Sequence, residues 1–178
     1  MCIRDSYTRT TDANGVASLA INLRPGDYIL TAYNPVNGEQ KGVNITVKSL
    51  IVQNDLTKYY LNASRFQATI YNKDGSLAVN KNVTFNINGV FYIRTTDSNG
   101  VVSLAINLRP GDYILTAYNP VNGEQKGFNI TVKSLIVQND LTKYYLNASR
   151  FQATIYNKDG SLAAVSYTHL TLPTICSV

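Results

Sequence analysis

The chain repeats itself. Residues 7–78 match residues 92–163 at a constant offset of 85, and only four of the 72 aligned pairs differ: Thr8/Ile93, Ala13/Ser98, Ala17/Val102 and Val43/Phe128. A period of this length exceeds a solenoid unit and suits a whole small domain. The architecture expected is therefore a string of beads, each of which must bury a core of its own.

The phase of the repeat follows from its strands. Within residues 49–133 the segments 65–72, 82–88 and 101–108 alternate apolar and polar residues, which places Phe66, Ala68 and Ile70, then Val83, Phe85 and Ile87, then Val102, Leu104, Ile106 and Leu108 on inward faces. Segment 50–53 opens the unit, with 55–62 read as an extension of that first strand, and segments 90–96, 112–118 and 125–133 supply the remaining strands. Asn88-Gly89 reads as a two-residue hairpin turn, since both positions tolerate positive φ. Asp97-Ser98-Asn99-Gly100 and Arg109-Pro110-Gly111 mark two more turns. Seven strand segments with a turn signal every 8–12 residues predict an all-β fold: an antiparallel Ig-like β-sandwich. Phe85, Leu104, Tyr113 and Ile130 are its expected core anchors, with Tyr113 placed to form a tyrosine corner.

This phase gives one complete repeat, 49–133, flanked by two partial ones. Residues 7–48 hold the closing strands of a preceding unit and residues 134–163 the opening strands of a following one. The flanks are expected to stay apart, because together they lack the strand that matches 82–88. Residues 1–6 and 164–178 break the repeat register and read as foreign ends.

Composition narrows the function. Charged residues make up 15% of the chain and the formal net charge is +5, with no basic run of the kind that neutralises phosphates. Lys41, Lys48, Lys58, Arg65, Lys73 and Lys81 stand singly and are read as solvated strand faces and edges. Cys2, Cys176 and the sole histidine, His169, all lie in the foreign ends, so the repeated body has neither thiol nor imidazole. Its few acids sit at turns, where their carboxylates cap backbone N–H groups. No catalytic residues, metal ligands or cofactor are expected, and no segment is apolar for long enough to span a membrane.

Several stretches carry a family resemblance. Tyr71-Asn72-Lys73-Asp74-Gly75-Ser76-Leu77-Ala78, Asn82-Val83-Thr84-Phe85-Asn86-Ile87-Asn88-Gly89, Thr95-Thr96-Asp97-Ser98-Asn99-Gly100 and Arg109-Pro110-Gly111-Asp112-Tyr113 occur in this order. Together they resemble the Ig-like tandem repeats of adhesin-like surface proteins from methanogenic archaea and, more distantly, invasin/intimin-type Ig-like domains and prealbumin-like surface modules. The resemblance covers residues 7–163 and implies an extracellular, cell-surface stalk or adhesin without catalytic residues. The end segments Met-Cys-Ile-Arg-Asp-Ser and Ser-Tyr-Thr-His-Leu-Thr-Leu-Pro-Thr-Ile-Cys-Ser-Val resemble translated sequencing-adapter read-through.

Five Asn-X-Ser/Thr sequons are the candidate modification sites: Asn44, Asn62, Asn82, Asn129 and Asn147. Strand alternation turns Asn82 and Asn129 away from their apolar neighbours, towards solvent where a glycan can be accommodated. Asp97-Ser98-Asn99-Gly100 and Asp12-Ala13-Asn14-Gly15 resemble half a calcium loop, but the following bidentate acid is missing and a turn motif is expected instead. A Lys–Asn isopeptide bond would need a buried acid, and Glu124, in a polar turn, is the only Glu of the complete repeat. Two functional classes stand: a passive spacer whose partners are the neighbouring repeats, and a module that itself binds protein or cell-wall or host-surface glycans. Burial of Tyr59, Tyr60, Tyr92 and Tyr118 separates them, because exposed rings would stack on sugars.

Overall fold

The computed structural model describes residues 6–164 and residue 170, and every regular element among them is a β-strand. The expected foreign ends therefore lie almost wholly outside the described residues. The chain forms two compact units, the first ending at Ser49 and the second beginning at Leu50.

In the first unit β1 (Gly26–Tyr33) and β2 (Gln40–Val47) make one antiparallel hairpin, in register from Gly26↔Val47 to Tyr33↔Gln40. Turn chemistry and ladder hydrogen bonds form it, but among the described residues of this unit no second sheet covers its apolar side chains. Leu30 and Val43 remain 36% and 48% exposed.

The second unit opens with β3 (Ile51–Val52), β4 (Leu56–Tyr59), β5 (Arg65–Ile70), β6 (Asn82–Ile87) and β7 (Val90–Thr95), and continues with β8 (Val101–Ala105), β9 (Gly111–Tyr118) and β10 (Gln125–Lys133). These eight strands form a three-stranded sheet, β3-β5-β8, and a five-stranded sheet, β4-β10-β9-β6-β7. The inward face of each strand is the apolar half of its alternating pattern, as pleating requires. Phe66, Ile70, Val83, Phe85, Val102, Leu115 and Ile130 are fully buried, and Leu104 is buried with them. Phe66 sits at the centre, edge-on to Phe85 at 5.8 Å and tilted against Phe128 at 5.1 Å. The fold is all-β and arranged as a sandwich.

Two features differ from the sequence expectation. The segment read as an extension of the first strand is a strand in the opposite sheet: after β3 pairs with β5, the chain crosses over and β4 joins β10. That pairing is parallel, with Leu56 opposite Ile130 and Tyr59 opposite Lys133. Local alternation cannot report which sheet a short edge strand joins, because partner choice is non-local. The second difference is Lys58, expected in solvent and found buried at 5% exposure.

The turns follow their residues. Asn88 and Gly89 carry φ of 53° and 77°, the pair of positive angles that a type I′ hairpin needs. Tyr113 is half-buried against the core, and its hydroxyl donates to Arg109 O at 2.9 Å, which makes the tyrosine corner. The same bond, Tyr28 to Arg24 O at 2.8 Å, forms in the first unit. Past the sandwich, β11 (Ile136–Gln138) and β12 (Ala153–Ile155) pair antiparallel. They are grouped with the complete repeat in the second unit.

Candidate functional site

The complete repeat has a leading end and a trailing end. At the leading end, the Leu50 amide donates to Glu124 Oε2 at 2.9 Å, and Lys126 Nζ donates to Ile51 O at 3.1 Å. Buried Asn119 donates to Tyr71 O at 3.4 Å, and its Oδ1 accepts the Val121 amide at 2.9 Å. The chain thus arrives beside the turn that starts β10. It leaves at Lys133, the last residue of the nine in β10. A strand of that length spans roughly 30 Å, so the two ends lie at opposite poles of the sandwich.

Three ties hold the strands at the trailing side. Lys58 reaches from β4 into the interior, where its ammonium donates to Ser64 O and to Ile106 O, both at 2.9 Å. These carbonyls lie just beyond the Arg65↔Ala105 pair, where the β5–β8 ladder stops, so one cation from the five-stranded sheet caps two loose ends of the other. Burial lowers the Lys58 pKa from its ordinary 10.5. Asp55 accepts the Asn129 amide at 2.7 Å and its side-chain nitrogen at 3.0 Å, and these bonds hold its carboxyl below the usual 3.8. The Tyr60 amide donates to Lys133 O at 2.9 Å.

The tyrosines that would mark a sugar platform are largely committed elsewhere. Tyr60 and Tyr92 pack on the core, and Tyr118 is half-buried. Tyr59 lies against Tyr156, with ring centroids 5.4 Å apart, and Lys133 Nζ sits 5.7 Å from its centroid on the ring face. Among the apolar groups that do face solvent are Phe91, Ile93 and Ile114, at 63%, 62% and 66% exposure. Pairing of Asn86 with both Phe91 and Thr116 puts all three on the outer face of the five-stranded sheet, with Thr84, Asn86 and Thr116 between them. The hollows nearby are shallow. One of about 220 Å³ opens between β7 and β8 beside Tyr92, Arg94 and Leu108, and another lies over Asp112, Ile114 and Asn129.

The sequons occupy different surroundings. Asn44, Asn82, Asn129 and Asn147 are exposed, whereas Asn62 is half-buried. Asn82 Oδ1 accepts the Thr95 hydroxyl at 2.9 Å. Asn129 is held by Asp55, and Asn62 Nδ2 donates to Lys158 O at 2.8 Å. The half-calcium-loop sequences form Asx turns. Asp97 Oδ1 accepts the amides of Asn99 and Val101 at 2.8 and 2.9 Å, and Asp12 accepts those of Asn14 and Val16 at 2.9 Å each. Among the described residues, no three His, Cys, Asp or Glu side chains gather where they could hold a metal ion. Nor is any helix among them long and apolar enough to cross a membrane.

No family model matches the chain, and no curated protein matches it. Among solved structures, the chain is similar to SGBP-B of the Bacteroides ovatus mixed-linkage glucan utilization locus, solved in complex with a mixed-linkage heptasaccharide. The likeness covers 79% of this chain at 15% identity and a TM-score of 0.34. The chain spans 38% of the length of that structure.

Proposed function

We propose that the repeat is a load-bearing spacer in the stalk of an extracellular, adhesin-like surface protein, its partners being the neighbouring repeats of the same chain. The observation that carries this reading is the parallel pairing of β4 with β10. The first of these strands follows the point where the chain arrives, and the second ends where it leaves. Tension applied at the two ends pulls neighbouring strands in opposite senses along their length. The β4–β10 hydrogen bonds are then loaded together in shear, instead of opening one by one as in a hairpin pulled from its open end. Asp55 and the Tyr60 amide reinforce that same seam, and Lys58 ties β4 to the opposite sheet. The roughly 30 Å between the two ends is the advance each copy contributes, and near-identical copies set total length without new design. The archaeal adhesin-like resemblance fits this role, and the exposed sequons are its candidate glycosylation sites.

Pulling the intact chain from its ends in a single-molecule force experiment tests the proposal. Tyr60→Pro removes the amide that donates to Lys133 O at the end of the seam, and it is expected to lower the unfolding force of the complete repeat. Asn88→Ala, in the β6–β7 hairpin away from the load, is expected to leave the force nearly unchanged. An unfolding force indifferent to Tyr60→Pro would overturn the role of this seam under tension.

A second reading, a glycan- or protein-binding module, is favoured by Phe91, Ile93 and Ile114 on the outer sheet face, since exposed apolar groups amid polar ones are a common contact surface. Specific, saturable binding on a glycan panel that is lost in Phe91→Ala would select it over the spacer.

A further inference from the structure

The trailing end of the complete repeat already carries part of the next copy. Tyr59 and Asn62 touch Tyr156 and Lys158, residues of the turn that follows β12: the rings lie 5.4 Å apart at 35°, and Asn62 Nδ2 donates to Lys158 O at 2.8 Å. Gly160, two residues further on, is pressed against the Tyr59 ring, so that a Cβ there would collide with Cε2 and Cδ2 of that ring. The 85-residue offset supplies an internal control. The same turn of the complete repeat runs from Tyr71 to Gly75, and no preceding copy of Tyr59 exists in the chain. Gly75 has a φ of 84° against 88° for Gly160, so the two turns share one backbone conformation. Yet a Cβ on Gly75 would meet nothing within 4 Å. The crowding at Gly160 therefore comes from the neighbouring copy and not from the turn itself.

We infer that successive repeats dock directly, the Tyr59–Asn62 corner of one copy seating on the Tyr-Asn-Lys-Asp-Gly turn of the next, so that the junction is a packed contact and not a free hinge. Both halves of the contact recur at the offset: Tyr59 and Asn62 return as Tyr144 and Asn147, and Tyr71 and Gly75 as Tyr156 and Gly160. Each copy can thus present one half at either pole. The positions agree with the poles of the sandwich. Tyr59 pairs with Lys133, where the chain leaves the complete repeat, and the Tyr71 amide bonds to Leu50 O at 2.9 Å, where the chain arrives. Tyr144, the counterpart of Tyr59 in the following copy, is 88% exposed. The contact also occupies the nitrogen that a glycan would need at Asn62, so docking and modification of that sequon compete. The junction forms whether the repeats serve as spacers or as binding modules, so it stands or falls apart from the proposed function.

Amide hydrogen exchange on the full chain tests it. Tyr59→Ala is expected to speed exchange of the Tyr156, Gly160 and Ala163 amides about three- to tenfold, as suits loss of one aromatic pair, while amides of β6 and β9 keep their protection. Tyr156→Ala lies outside the complete repeat and cannot disturb its core, and it is expected to speed exchange at the Asn62 amide by a similar factor. Tyr71→Ala, the same residue without a Tyr59 across from it, measures the purely local role of this tyrosine. Unchanged exchange at residues 156–163 in Tyr59→Ala, or effects of Tyr156→Ala confined to its own turn as in Tyr71→Ala, would overturn the docked junction.

Discussion

Replacing Lys58 by Met isolates what the buried ammonium does. Met keeps most of the apolar stem, so packing changes little, but it removes the charge and both hydrogen bonds. The two bonds to Ser64 O and Ile106 O are charge-assisted and contribute about 1.5–3 kcal/mol each, which offsets most of the cost of taking the ammonium out of water. In Lys58→Met the Ser64 carbonyl can be hydrated, since Ser64 is exposed, whereas the Ile106 carbonyl is left without a donor. An unsatisfied buried acceptor costs about 1–3 kcal/mol, and that is the expected loss at neutral pH. For a domain of this size Tm falls by about 4–8 °C for each kcal/mol. The pH dependence provides a second signature. Burial lowers the folded-state pKa below 10.5, so between the two values the unfolded chain binds more protons than the folded one. Stability from this group therefore rises with pH across that window and is level above 10.5. The bonds survive deprotonation, because a neutral amine still has two N–H donors for two carbonyls. Denaturant titrations of wild type and Lys58→Met at a series of alkaline pH values give the difference directly. A difference that stays flat or shrinks as pH approaches 10.5, or a variant as stable as wild type at neutral pH, would refute this account of Lys58.

Phe85→Ala is expected to cost about 3–5 kcal/mol and Leu104→Ala about 2–5, by lost burial plus the cavity left at the sheet interface, read as a lower midpoint in thermal or denaturant unfolding. Tyr113→Phe removes the bond to Arg109 O while keeping the ring against the core, and should cost about 0.5–1.5 kcal/mol in the same assay. Tyr28→Phe breaks the equivalent bond in a hairpin without a covered core, and should leave the main transition in place.

The two copies of Gly-Asp-Tyr-Ile-Leu-Thr-Ala-Tyr show what a sequence can and cannot disclose. As β1 and as β9 these eight residues adopt the same strand, pair with the same following strand in the same register and close the same tyrosine corner. All of that is decided locally, by alternation, turn chemistry and ladder bonds, and all of it could be read in advance. Burial is not shared. Leu115 and Ala117 are fully buried, whereas Leu30 and Ala32, their counterparts, are exposed, because β6 and the opposing sheet are present only in the complete repeat. Lys58 fails the local reading for the same reason. Its apolar stem and charged head look like any solvated lysine until β4 is known to join β10 and to face the end of the β5–β8 ladder. The junction at Tyr59 was similarly invisible, because one tyrosine in a polar corner carries no signal of what will be set against it. The four differences between copies show the division once more. Thr8/Ile93 and Ala13/Ser98 fall at exposed positions, but Ala17/Val102 and Val43/Phe128 fall at positions that are buried in the complete repeat. Both core differences make the earlier copy smaller. Drift within a repeat array is thus free on the surface, whereas in the core it must be absorbed by repacking. A complete unit built on Ala17 and Val43 would therefore keep this backbone with a smaller and weaker core than the one around Phe66.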